Sequence, residues 1–413
     1  MKSAYSPIQL EHDFSACLDR TMRRGWGFDV KKAEALANKI RGEQAEVDEK
    51  LQEAFPPLDK IRYTKVKKLP RPYVEVFNPG SRQQIAQRLK DSREWKPKIF
   101  TNTGQASVDE TILSMLPWPE AKLLAKRFLL AKRLGQIAEG DKAWLKKVKE
   151  DGRLYSYIMH IGTVTHRCAH FDPNLGQVPA NDAPYGKECR ELFIPRAGWV
   201  AVGGDASGLE LRMLAHYMQD SAYTDEVLHG DPHTVNMRAW EVDDRALGKR
   251  LTYACLYGAS DTLLGTILGG SRKDGTERRK AFMSNLEPLG RLSTSVKKKA
   301  KRGFFTSLDG RKIPIRHTHA ALNTLLQAGG AVVMKAATVE FHDACAVAGM
   351  IEDMDWGMVG HVHDEMQTEA HPNAVEDLKK HLEDSFIIAG EKLGVRLPIN
   401  GVAQHGKNWS ETH

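Results

Sequence analysis

Two aspartates, Asp205 and Asp364, stand where a chain could do phosphoryl chemistry, although 159 residues separate them. Asp205 follows Trp199 to Gly204 (WVAVGG), a short apolar run bounded by glycine that reads as a buried strand. Asp364 lies in Val362-His363-Asp364-Glu365, between Met358 to His361 and Met366 to Thr368, which read as two strands joined by a turn. Two carboxylates meeting at strand ends can hold two hard divalent cations about 4 Å apart, activating an attacking hydroxyl and stabilising the departing oxygen of an in-line displacement. Spacing alone does not make them meet, and aspartate at a strand end also serves simply as a turn residue.

A second constellation is Arg245, Lys249, Tyr253 and Tyr257. Steps of four advance about 400° on an α-helix, so the four drift slowly along one face. Two cations followed by two aromatics suit a triphosphate with a base at its far end: charge on the phosphates, a ring against sugar and base. The same spacing describes an amphipathic helix with half-buried tyrosines and solvated cations.

The elements that must carry these residues are legible. Val30 to Ala54 reads as a helix ending before Pro56-Pro57, followed by a proline- and base-rich connector to Pro72. Ser81 starts another helix, and Pro119 to Gly140 is a longer basic one. Leu209 to Met218 turns helical directly after Asp205. Asp243 to Tyr257 is a helix stopped by Gly258, and Ala320 to Cys345 a long, largely apolar one. Gly265 to Gly275 reads as a glycine-rich loop without nucleotide-fingerprint spacing.

Composition is that of a globular protein: 41% hydrophobic and 27% charged residues, net charge +7. The excess is local. Nine Lys/Arg lie between Lys122 and Lys149 against Glu139 and Asp141; Lys297 to Arg302 precedes Phe304-Phe305; a third stretch runs from Lys60 to Arg71. Such stripes suit a polyphosphate backbone, or simply a solvated helix face. The five cysteines are scattered without a C-x-x-C pair, which suggests neither a disulfide framework nor a zinc site, and a reducing cytoplasm is expected. No apolar run approaches the roughly 18 residues of a membrane span, and Met1 to Phe14 lacks a signal-peptide core.

Five segments in order resemble family-A DNA polymerases. Asp205-Ala206-Ser207-Gly208-Leu209-Glu210-Leu211-Arg212 resembles their motif A, Arg245-x3-Lys249-x3-Tyr253-x3-Tyr257-Gly258 their motif B, and His363-Asp364-Glu365 their motif C. Thr163 to Arg167 with Pro173-Asn174-Leu175 is similar to the template-primer segment before motif A, and Asn323-x3-Gln327 to the helix touching the DNA minor groove. Gly135 to Trp144, Leu308 to Lys312, His319 to Gln327 and the ending Asn408-Trp409 to His413 look most like the replicative polymerases of short-tailed bacteriophages.

The resemblance implies template-directed addition of dNTPs to a primer 3′-hydroxyl, with two Mg²⁺ ions for which Mn²⁺ can substitute. Asp205 and Asp364, with the Ala206 carbonyl, would bind the metals; Glu365, the further catalytic candidate, would tune the site without direct coordination. Arg245, Lys249 and His233, in Asp231-Pro232-His233-Thr234, would grip the triphosphate and help the pyrophosphate leave, with Lys249 the catalytic candidate among them. Glu210, held by a hydrogen bond to Tyr253, would exclude ribonucleotides by occupying the space of a 2′-hydroxyl. Its bland alternative is a first-turn residue favoured by the helix dipole. Tyr253 implies tolerance of 3′-deoxy terminators. Tyr257 and Gly258 would meet the template base, and Arg167, Asn174, Asn323, Gln327 and His363 the primer-template duplex, where minor-groove acceptors vary little between correct pairs. Two residues depart from the family: His166 and Ala254 replace glycines.

The implied fold is α+β, a right hand with an antiparallel-sheet palm (154–216 and 303–413), helical fingers (217–302) and a helical N-terminal region and thumb (1–153). The resemblance begins near Asp19 to Phe28, so no 3′–5′ exonuclease domain and no proofreading are expected in this chain; a separate exonuclease chain or a longer natural parent stays open as their source, with replisome proteins as candidate partners. Phe55 to Phe77 is only 23 residues, too short for the long thumb loop that recruits thioredoxin in phage relatives, so no thioredoxin clamp is expected. A monomer in the cytoplasm of a bacterial host, without membrane attachment, completes the expectation. A single-subunit RNA polymerase and a non-catalytic primer-template-binding module are the alternatives.

Overall fold

The computed structural model describes residues 3–63 and 69–413. The chain divides into two compact units, Asp29–Val148 and the combination of Met1–Phe28 with Lys149–His413.

In the smaller unit the helix Val30–Ala54 starts where Asp29 accepts the Lys32 amide at 2.9 Å, a side-chain N-cap. Ala33, Leu36, Ala37, Ile40, Val47 and Leu51 form its buried face, packed on the helix Pro119–Leu134. Ser81 caps the helix Arg82–Arg93 in the same manner. The basic helix is shorter than its sequence suggests: after Leu134 the chain makes one wider turn, Gly135–Glu139. The segment expected as a connector is instead a two-stranded antiparallel ribbon, Leu58–Tyr63 with Pro70–Glu75. Pro70 and Pro72 are two residues apart, so their missing N–H groups face the same way, and a ribbon with a free outer edge tolerates both. The middle of the basic stretch Lys60 to Arg71, residues 64–68, lies outside the described residues.

The larger unit is built on four antiparallel strands in the order Trp356–Val362, Glu365–Ala370, Val200–Ala206, Gly401–Gly406. The helix Ala321–Val347 packs against Val375–Lys392 and is buried almost all round, which explains its apolar sequence. The N-terminal helix Pro7–Arg24 lies against Ala321–Val347 and the strand Trp356–Val362, placing Phe14 and Leu18 in the same core as Val202, Val332, Met358 and Leu382. The helical first third expected from the sequence is therefore split, its opening residues packing with the sheet. Strand Trp26–Phe28 pairs with both Arg153–Leu154 and Phe193–Ile194, so the chain leaves this unit and returns to it on adjacent strands.

Six helices from Ser221–His229 to Glu287–Ala300 follow the first sheet strand, tied internally by Trp240 stacked on Phe282 at 4.2 Å. The glycine-rich segment is a loop only in its middle, residues 268–271, and its two ends are helical. Gly265 ends up inside the helix Asp261–Ile267 and Gly275 inside Arg272–Asn285, where an added Cβ would lie 1.9 Å from the Ser271 carbonyl and 2.0 Å from that of Asp261. These glycines let two helices touch backbone to backbone.

Candidate active site

The hairpin between Trp356–Val362 and Glu365–Ala370 turns through His363 and Asp364, with His363 at φ 56°. Its second strand pairs directly with the Asp205 strand, Glu365 opposite Asp205, and the Ala206 amide donates to the Asp364 carbonyl at 2.9 Å. Sheet register thus joins the two aspartates that sequence leaves far apart. Burial, reinforced by Glu365 and Asp364, pushes the Asp205 carboxyl up to about 7; burial raises Asp364 as well. Crowded carboxylates that resist ionising alone are a natural seat for a cation. Among the described residues no group of three or more His, Cys, Asp or Glu could hold a metal ion by itself. The donor set of two carboxylates and the Ala206 carbonyl fits Mg²⁺, which keeps several water or phosphate ligands and does not need an all-protein cage.

Glu365 is placed differently from the two aspartates. It is 3% exposed, takes hydrogen bonds from the Trp409 indole and, at 2.5 Å, from the Gln367 amide, and pairs with His413 at 3.1 Å and Arg190 at 3.7 Å. Arg190 also lies 4.6 Å over the Trp409 ring. Sequence reasoning missed Arg190 and Gln367; Trp409 and His413 were visible only as part of a family-like ending.

Arg167 stands between two functional candidates, 3.4 Å from Glu210 and 3.5 Å from Asp364. Glu210 opens the helix Leu209–Met218 and accepts a hydrogen bond at 2.6 Å from Tyr257, not from Tyr253 as expected. The physical reason is helix geometry: Arg245–Leu256 ends at Tyr257, which caps it and can reach across, while Tyr253 sits one turn back with its ring 5.9 Å from Tyr257 and 6.1 Å from His233. Gly258 then takes φ 82°, and a Cβ there would lie 2.9 Å from the His319 carbonyl, so the glycine is required twice over.

Arg245 makes a two-pronged pair with Asp231, at 2.7 and 2.9 Å, that holds the Asp231 carboxyl well below its usual range. Asp231 also caps the helix Pro232–Ala239, on which His233 is the second residue. Burial and the charges of Lys249 and Arg245 lower His233. Arg245, Lys249, His233 and Tyr253 are thereby gathered on two neighbouring helices. His363 meets the Gly176 carbonyl at 3.0 Å, tying the aspartate turn to the short helix Leu175–Gln177 that Asn174 begins. Asn323 and Gln327 lie one turn apart on Ala321–Val347, whose Gly329 and Gly330 pack against Met213, Tyr217 and Leu209 of the Glu210 helix. His166, a departure from the family's glycine, adopts φ 61°, the conformation that glycine would favour. An open cleft of about 1330 Å³ beside Gly258 is lined by Arg272, Arg279, Lys297, Lys298 and His319.

Residues 48–411 match the sequence profile of the family described as DNA polymerase family A. The chain belongs to DNA polymerase family A. Within it, the DNA-directed DNA polymerase of Enterobacteria phage T3 is 35% identical over 82% of this chain and 53% of its own length; that of Escherichia phage T7 is 31% identical over 98% and 70%. DNA polymerase I of Pseudomonas aeruginosa is 26% identical over 82% of this chain and 39% of its own length. This family-A chain thus spans about half the T3 enzyme. The polymerase domain of Pol1 from M. smegmatis, solved in complex with DNA primer-template and dNTP, superposes with a TM-score of 0.82 over 97% of this chain and 70% of that one, at 20% identity, and shares the fold. The family-A resemblance and the α+β class expected from sequence therefore hold. No helix among the described residues is long and apolar enough to cross a membrane.

Proposed function

We propose that this family-A polymerase extends a primer 3′-hydroxyl on a DNA template with dNTPs, releasing pyrophosphate. The carrying observation is the convergence of Asp205 and Asp364 at one end of the sheet, with Arg167 bridging Asp364 to Glu210. Asp205, Asp364 and the Ala206 carbonyl would hold two Mg²⁺ ions, or Mn²⁺, which when bound lower the barrier to nucleophile formation and neutralise charge on the leaving phosphate. Arg245, Lys249 and His233 grip the triphosphate; for Arg245 this means exchanging Asp231 for a phosphate, a like-for-like anion swap. Tyr253 takes the sugar and base. Glu210 blocks the 2′-hydroxyl, and its bond from Tyr257 keeps it in place. Arg167, Asn174, Asn323, Gln327 and His363 face the duplex, with Tyr257 and Gly258 at the template base. Glu365, saturated by Trp409, Gln367, His413 and Arg190, acts by fixing the sheet end beside the aspartates.

In hand terms, the sheet and its helices form the palm, Tyr217 to Arg302 the fingers, and the helical smaller unit the thumb. Extension of a labelled primer on a defined template, with Mg²⁺ and either dNTPs or rNTPs, tests the reading. Wild type should extend with dNTPs only, and Asp364→Asn should lose at least about 10³-fold in rate while retaining primer-template binding. Extension with rNTPs would favour an RNA polymerase, and binding without extension a non-catalytic module.

A further inference from the structure

The loop from His160 to Cys168 delivers Arg167 to the carboxylates, and a cluster of buried charges outside the site holds it at both ends. At the first end, His160 Nδ1 meets Glu11 Oε2 at 2.6 Å. At the other, His166 Nδ1 lies 3.5 Å from the Arg311 guanidinium. Glu11 Oε1 accepts from Arg311 and, at 2.5 Å, from Lys335; Arg311 also pairs with Asp309 at 2.7 Å. Glu11 comes from the N-terminal helix Pro7–Arg24, Asp309 and Arg311 from the turn joining strands Phe304–Thr306 and Lys312–Pro314, and Lys335 from the helix Ala321–Val347. None of the four is more than 8% exposed.

Two buried anions against two buried cations make a stiff joint, because displacing any member leaves a charge without its partner. Stiffness is what the loop needs. His166 holds a left-handed backbone conformation that a non-glycine residue keeps only with outside support. Within the loop the Gly162 amide donates to the Arg167 carbonyl at 3.2 Å, so movement of either end reaches Arg167 directly. The cluster also faces the small cavity that His166, Arg167, Lys335, His361 and His363 line together.

We propose that Glu11 is a positioning residue for the polymerase reaction: through His160 and Arg311 it fixes both ends of the Arg167 loop and thereby sets how strongly the enzyme favours a paired over a mispaired primer terminus. The inference rests on the reading of Arg167 as a donor to the duplex at the primer end. The test is single-turnover extension from matched and mismatched termini by wild type, Glu11→Gln, His160→Ala and Arg167→Ala, and by each of the first two combined with Arg167→Ala. His160→Ala cuts one tie without stranding a buried charge, so it decides the matter even if Glu11→Gln unfolds; thermal unfolding of each variant reports that. The matched-over-mismatched ratio of kcat/KM should fall roughly tenfold in Glu11→Gln and His160→Ala, with little further change once Arg167 is alanine, as coupling between members of one network requires. An unchanged ratio, or an equal loss with and without Arg167, would reduce the cluster to scaffolding and overturn the proposal. If Arg167→Ala alone left the ratio intact, the reading of Arg167 itself would fall and this inference with it.

Discussion

A single hydroxyl distinguishes the observed partner of Glu210 from the expected one. Because Tyr257 supplies a bond to Glu210, Tyr257→Phe should leave that carboxylate held by Arg167 alone and cost about 1 kcal/mol of stability. Ribonucleotide incorporation should rise in Tyr257→Phe, and rise further, by about tenfold or more over wild type, in Glu210→Ala; competition assays with mixed dNTPs and rNTPs measure both. A second residue-scale expectation concerns acid. His361 is 3% exposed, packs 5.1 Å from the Phe14 ring, and is pushed down to about 3 by burial. A histidine held neutral in the fold stabilises it fully above the ordinary value near 6.5 and loses that contribution as pH falls toward its folded value. Between pH 6.5 and 5 the loss is about 2 kcal/mol. Unfolding midpoints should fall over that window in wild type and fall less in His361→Met. At this scale Asp205 and Asp364 were legible because strand ends are written in apolar runs and glycines. The donors around Glu365 were not, since Arg190 and Trp409 reach it only through tertiary packing.

At the scale of elements, Val30–Ala54 and Leu209–Met218 were read at their observed bounds, the first from its helical spacing and the prolines beyond it. Two of the misreadings, the ribbon and the glycine-rich segment, share a cause: glycine and proline were taken as marks of irregular chain, whereas here they permit close contact or an outer edge. The claim has a direct check. Gly275→Ala places a methyl against the Asp261 carbonyl and should destabilise the protein by about 1–3 kcal/mol, whereas Gly104→Ala or Gly42→Ala meets open space. Of these two controls, Gly42 is the cleaner, because Gly104 has a positive φ. Chemical denaturation of the variants separates the cases.

For the whole molecule, a net charge of +7 is too small to predict nucleic-acid binding, and its placement has to carry the expectation. Lys122 and Lys132 are exposed on the helix Pro119–Leu134 of the smaller unit. Replacing both with alanine should weaken primer-template binding alike on all sequences and lower the slope of log affinity against log salt by about 1–2, measured by titration at several ionic strengths. An unchanged slope would remove that helix from the DNA-binding surface.

The strand Trp26–Phe28 leads out to the smaller unit, and Arg153–Leu154, its hydrogen-bonded neighbour, leads back. A segment that departs and returns through adjacent strands behaves as a cassette: it can lengthen, shorten or be exchanged without altering the register that brings Asp205 to Asp364. Evolution could then vary the smaller unit, the proposed thumb, while the sheet end that carries Asp205 and Asp364 is inherited intact, and an engineer could graft a foreign unit at the same doorway.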